Sequence, residues 1–277
     1  MTIKLKQDVQ TRWNSTFYMF ERLLRVKVQL SATLSILDSP PPNLEAAQWQ
    51  ILEDSVAILQ PFEKITAVLS AESYPTLSCI IPLVRGLQNS LNKRTPITDA
   101  GKHLQRALLE VVDKRLSVYK SNRTAAKATL LDPRFKKKAF GLDSTAENAV
   151  KHVTEELAYY ITHEPDYVLT EPPVADTSTT NVPPLSNADE IWEDFDKKLT
   201  ESVMQQTPIS SATTLLKQYL DLPYLDRKQD PLQFWAERQQ LFPSLSQMAF
   251  KYLCIPASSV PSERLFSKAG LSIIKYV

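Results

Sequence analysis

Apolar residues recur at three- and four-residue intervals along most of this 277-residue chain, and nowhere do they alternate over the length of an ordinary β-strand. That periodicity restricts the fold to packed helices. A first helix is predicted from a cap at Ser15 or Thr16 to about Leu37, with Phe17, Phe20, Leu23, Leu24, Val28, Leu30 and Leu34 inward. A proline-rich turn at 38–43 ends it. Asn43 then caps a second predicted helix over 44–70, which Pro61 should kink or divide. A third is read from Thr76 to about Asn92 with a further kink at Pro82, and a fourth from Asp99 to Ser121. The fourth buries Leu104, Leu108, Val111, Val112, Leu116 and Tyr119 and turns Lys102, Arg106, Lys114 and Arg115 outward. Residues 130–140 read as a connector, and Ser144 with Glu147 gives the capping-box pattern of a fifth helix reaching Thr162. Helices over 187–201, 210–220 and 231–257 complete the reading. Only 252–255 and 271–277 are left as places for a strand.

The clearest break is 165–186, where prolines at 165, 172, 173, 183 and 184 lie among Thr, Asp, Glu and Ser, the composition of a flexible acidic linker. The expected organisation is therefore a helical region over 1–164, the linker over 165–186, and a C-terminal region over 187–277.

Composition removes several function classes. Four glycines, Gly86, Gly101, Gly141 and Gly270, are too scattered for a phosphate-cradling loop. Cys79, Cys254 and three histidines offer no pair at zinc-ligand spacing. Two lone cysteines in apolar surroundings fit a reducing compartment, and the first residues have no apolar run of signal-peptide length. No apolar stretch approaches the roughly 20 residues of a bilayer span, so no membrane partner is expected. The net charge of +1 hides an asymmetry: from Arg85 to Lys138 there are 14 Lys or Arg against 4 Asp or Glu, and from Gly141 to Glu201 there are 3 against 14. Such a split is the footprint either of a nucleic-acid face or of solvated helix surfaces that satisfy one another.

Four stretches carry chemistry. Arg12-Trp13 opens the first helix, where a cation beside an indole can stack on an unpaired base or where the Trp simply anchors the core. Arg134, Lys136, Lys137 and Lys138 can neutralise phosphates, or Asp132-Pro-Arg134 can form a turn closed by its own ion pair. Asp230-Pro-Leu-Gln-Phe-Trp235 reads as an Asp cap, a Pro at the first helical position and an aromatic pair. Ile255 to Gly270 places Glu263 behind Ser259, Pro261 and Ser262 at a helix start, as a capping or metal-binding carboxylate.

These blocks, together with Asp8-Val-Gln-Thr-Arg-Trp-Asn-Ser-Thr16, Leu131-Asp-Pro-Arg-Phe-Lys136 and Phe242-Pro-Ser-Leu-Ser246, resemble in order the hAT (hobo/Activator) transposases and their domesticated BED-type zinc-finger relatives. The resemblance implies a mainly α fold, namely a helical insertion domain with a C-terminal remnant of a split RNase H-like fold. It implies that Glu263 is the last acid of an Asp-Asp-Glu metal site, that Arg12 and Trp13 lie near the transposon end, and that the C-terminal segment dimerises. On that basis Phe234, Trp235, Phe242, Leu245, Met248, Tyr252, Leu265 and Phe266 are the expected contact residues of a homo-oligomer. Asp8 is assigned no catalytic role.

No stretch resembles the upstream strands with their two Asp residues, nor the BED finger. A two-metal site holds its cations about 3.5–4 Å apart and needs several converging carboxylates, so Glu263 alone is expected to be catalytically silent. No cofactor is expected in this chain, Mg2+ or Mn2+ entering only with upstream Asp residues, and no small-molecule substrate is expected. The expected role is DNA association and self-association in the nucleus. An active transposase whose other acids lie upstream, and a helical interaction scaffold with no DNA role, are the rivals.

Overall fold

The computed structural model describes residues 3–10, 12–70, 77–163 and 207–260. Among these the chain is mainly α, with ten α-helices, short 3-10 turns and no strand. The helices are α1 (Trp13–Arg25), α2 (Lys27–Leu34), α3 (Ala46–Leu69), α4 (Ile80–Asn92) and α5 (Asp99–Leu116), then α6 (Arg123–Leu131), α7 (Asp143–His163), α8 (Pro208–Asp221), α9 (Pro231–Glu237) and α10 (Pro243–Leu253). The stretch 252–255 holds no strand, because Tyr252 and Leu253 finish α10 with their side chains buried. The linker at 165–186, the helix expected over 187–201, the segment 271–277 and the remnant around Glu263 lie outside the described residues.

The described residues gather into two compact units, one of those up to Ala125 together with the stretch 255–260, the other of those between Ala126 and Cys254. This differs from a division at 165–186, since α7, before that segment, packs along α8, after it.

In the first unit α1 packs on α3, where Tyr18 donates to Glu63 Oε1 at 2.7 Å. The helix begins at Trp13, earlier than the Ser15 or Thr16 cap expected, because those two hydroxyls are turned back onto Asp8 Oδ1 at 2.5 and 2.8 Å. The long helix predicted to reach Leu37 is divided at Val26. Pro61 does not divide α3, which runs on through it with the ring buried. Pro82 lies in the first turn of α4, where a missing N–H removes no intrahelical bond, so no kink is required. Ile58, Leu87, Leu91 and Val112 form the core of α3, α4 and α5, with Phe62, Leu104, Leu108 and Leu116 packed against it. Val111 and Tyr119, expected inward, are exposed.

The junction of α4 and α5 is pinned by polar groups. Asp54, buried on α3, accepts the backbone N–H of Thr98 at 2.8 Å and of Ile97 at 3.1 Å, and the Thr98 hydroxyl at 2.6 Å. Burial raises the Asp54 pKa, but these donors outweigh it and hold the carboxyl below its usual range. Thr98 in turn caps α5 by accepting from the Gly101 N–H at 3.0 Å. Gln105 donates to the carbonyls of Leu91 at 2.6 Å and Arg94 at 2.8 Å, closing the end of α4.

The second unit is built around Leu130, Leu131, Val153, Leu157, Leu216, Tyr219, Trp235, Leu245 and Met248, all essentially without solvent contact. The expected connector over 130–140 is preceded by α6, which the periodicity reading missed. Its signal was Asn122, whose Oδ1 caps the helix by accepting from the Ala125 N–H at 2.9 Å. Asp143 rather than Ser144 opens α7. Asp230 and Pro231 start α9 as expected, with Asp230 Oδ1 accepting from the Leu232 N–H at 2.8 Å.

Candidate nucleic-acid and self-association surfaces

The run Leu131-Asp-Pro-Arg-Phe-Lys136 forms a closed turn after α6. Asp132 is fully buried, and Arg134 meets it with two parallel bonds, Nε to Oδ1 at 2.9 Å and Nη2 to Oδ2 at 2.7 Å. The Arg134 N–H also bonds Oδ1 at 3.0 Å, an Asx-type turn. The guanidinium is thus committed to Asp132 and almost wholly covered, which corrects its expected role as a phosphate contact.

Lys136 is corrected more sharply. It is 0% exposed, has a left-handed backbone (φ 44°), and sends its ammonium to the C-terminal end of α8. There Nζ donates to the carbonyls of Leu222 at 2.6 Å, Tyr219 at 2.9 Å and Leu220 at 3.4 Å, and lies 4.8 Å from the Tyr219 ring centre. These carbonyls are the groups a helix terminus leaves without partners, at the negative end of its dipole, so a buried cation is satisfied there. Burial draws its pKa down to about 8, with Asp221 opposing. Within the cluster only Lys137 and Lys138 reach solvent, Lys138 standing 4.7 Å from the Tyr224 ring centre.

The C-terminal end of α6 is closed in the same manner from the other side. Tyr219 Oη donates to the Leu130 carbonyl at 3.1 Å and Trp235 Nε1 to the Leu131 carbonyl at 2.8 Å. Each helix end is therefore capped by a side chain held by the other segment. Phe234, Trp235, Phe242, Leu245, Met248 and Tyr252 are all buried in this unit. The expectation that they face a partner subunit is corrected: their apolar area is consumed within the chain. Leu265, Phe266 and Glu263 lie outside the described residues.

A polar cluster that the sequence reading overlooked joins α6, α7 and α10. Glu156 is contacted by Lys127, by Lys251 at 2.9 Å and by the Tyr252 hydroxyl at 2.6 Å, and Lys251 also reaches Tyr160 Oη at 3.3 Å. Burial raises the Glu156 pKa, yet the bonds from Lys127, Tyr252 and Lys251 prevail and lower it. The carboxylate raises the Lys251 pKa in return.

Arg12 and Trp13 remain open. Trp13 is 45% exposed and touches Phe62 edge to face, with ring centres 6.4 Å apart, so it is not the core anchor that an indole at a helix start usually becomes. Arg12 is exposed in extended backbone immediately before it. The next residue, Asn14, has a buried Oδ1 with no hydrogen-bond partner among the described residues. Asp8 is engaged by Ser15 and Thr16, whose hydroxyls lower its pKa. No group of three or more His, Cys, Asp or Glu is placed to hold a metal among the described residues, and no described helix is long and apolar enough to cross a membrane. Cys79 is buried, whereas Cys254, expected in apolar surroundings, is exposed.

Residues 215–276 match the hAT family C-terminal dimerisation region. The chain is similar to human zinc finger BED domain-containing protein 4, at 28% identity across 95% of this chain and 22% of that protein. It is also similar to a putative transcriptional regulator, tpeD, of Talaromyces stipitatus, at 25% identity across 95% of this chain and 29% of that protein. The putative AC transposase of Zea mays is 24% identical across 98% of this chain and 34% of that protein. The chain thus spans only about a fifth to a third of the length of these relatives. The resemblance read from the ordered sequence blocks is borne out by both comparisons.

Proposed function

We propose that this chain associates with DNA and with further copies of itself in the nucleus, as the helical part of a transposase-derived protein, and performs no strand-transfer chemistry of its own. The observation that carries the reading is the match of residues 215–276 to a dimerisation region of transposases. Self-association uses side chains other than the six buried aromatic and aliphatic residues of the second unit. The DNA role is supported by the names of the relatives and by the open Arg12-Trp13 pair, which offers a cation for phosphate and an indole face for a base. Mg2+ or Mn2+ enters only with carboxylates from a longer chain, Glu263 being one ligand of several.

Two measurements test this. Sedimentation of the full chain over a wide concentration range should show a reversible rise in mass; a constant monomer overturns the self-association half. Fluorescence anisotropy with duplex DNA should show affinity that falls steeply with salt, and Trp13→Ala should weaken binding to a duplex with unpaired terminal bases several-fold while leaving a blunt duplex unchanged. Binding that ignores salt would favour a protein-interaction scaffold. A second reading, a portion of an active transposase, is favoured by the similarity to the Zea mays protein, and nicking activity in a longer protein that carries this chain together with two further Asp residues would establish it.

A further inference from the structure

We infer that the corner between α4 and α5 is a phosphate-contacting surface for duplex DNA, formed by Lys93, Arg94, Lys102 and Arg106; this deepens the DNA-associating reading and rests on it. The sequence places 14 basic residues between Arg85 and Lys138, and its densest run is Arg134 to Lys138. Folding halves the available charge of that run, because Arg134 is spent on Asp132 and Lys136 on the end of α8, leaving only Lys137 and Lys138 in solvent. What stays in solvent includes Lys93, Lys102 and Arg106, and Arg94 is half-buried.

Gln105 brings these four together. Its side chain bonds the carbonyls of Leu91 and Arg94, so the first turns of α5 lie against the last turn of α4. Lys102 and Arg106, three residues before and one after Gln105, lie on the same two turns of α5 that Gln105 ties to the end of α4, where Lys93 and Arg94 follow Leu91. The loop beneath is fixed by Asp54, whose carboxylate is buried and saturated by Ile97 and Thr98. Two exposed acids share the neighbourhood. Asp99 pairs with Lys102 at 3.1 Å in full solvent, a contact that an approaching phosphate displaces at little cost, and Glu110 lies one turn beyond Arg106. Four cations against two acids, held on a helix start and a pinned loop, suit the regularly spaced charges of a nucleic-acid backbone. Such contacts position a protein on DNA without reading its sequence.

The test uses the full chain and a random-sequence duplex of about 20 base pairs, a length set by the need to exceed one turn of groove. Affinity is followed by anisotropy as salt is varied. Replacing Lys93→Gln, Lys102→Gln and Arg106→Gln together should reduce the slope of log affinity against log salt by about 2 to 3 and weaken binding at least about tenfold, since each phosphate contributes about 0.9 to that slope. The charge-keeping set Lys93→Arg, Lys102→Arg and Arg106→Lys should retain slope and affinity. If the unaltered chain binds and the Gln set binds equally well with the same slope, the corner is not the contact surface while the DNA reading stands. Equal loss in both sets would make the effect structural and overturn the corner as well. A chain that binds no duplex at all overturns the inference together with the reading beneath it.

Discussion

Three consecutive lysines, 136 to 138, have the same chemistry on paper and different fates in the fold. The positive φ of Lys136 costs roughly 1 kcal/mol for a non-glycine residue, and it is retained because it aims the ammonium into the end of α8. Lys136→Met should lower stability at neutral pH by about 2 kcal/mol, measured by urea unfolding, because the Tyr219 and Leu222 carbonyls lose their donor. The folded-state pKa of about 8 lies below the 10.5 of a free lysine, so between those values the unfolded chain binds more protons and stability rises with pH. The difference between native chain and variant should therefore widen from pH 8 towards 10.5. A gap that narrows over that range would mean the protonated form is the favoured one. Neither the burial of Lys136 nor the pairing of Arg134 could be chosen from sequence: the Asp-Pro-Arg turn was legible as an alternative, but which lysine turns inward depends on where α8 ends, 85 residues later.

At the level of elements, the amphipathic period located most helices, and capping residues set their starts where they were recognised. The misses have definite causes: Ser15 and Thr16 serve Asp8 rather than a cap, Pro61 falls where the packed helix tolerates it, and α6 is too short and too rich in alanine to show a clear stripe. Gly101 shows what periodicity leaves out. A Cβ there would meet Asp54 Oδ2 at 2.6 Å and Pro96 Cβ at 2.9 Å. Gly101→Ala, which helix propensity alone would make favourable, should instead destabilise by about 1–3 kcal/mol in thermal or urea unfolding. The Glu156 cluster gives the acid-side counterpart. Its lowered pKa means that its contribution is complete above about pH 4.5 and lost as pH falls through the folded-state value. Glu156→Gln should reduce stability at pH 7 and flatten the acid limb of a stability–pH profile. An unchanged acid limb would remove this cluster as a link between α6, α7 and α10.

For the molecule as a whole, the second unit matters most to any use of the C-terminal region. Tyr219 and Trp235 lie within the segment that matches a dimerisation region, yet their hydrogen-bond acceptors are Leu130 and Leu131, and α8 packs on α7. The segment 215–277 expressed alone should therefore lack cooperative unfolding by circular dichroism, whereas the full chain should show it. A sharply folded isolated segment would contradict that dependence. The sequence by itself determined the helical class, because a 3.6-residue period is a local property, and it determined the family resemblance, because ordered motifs survive in one dimension. Tertiary structure alone decided which cations reach solvent and which aromatic residues are used up internally. Burial is a property of distant segments meeting, and a helix terminus far along the chain supplied the carbonyls that turned an apparent phosphate contact into part of the core.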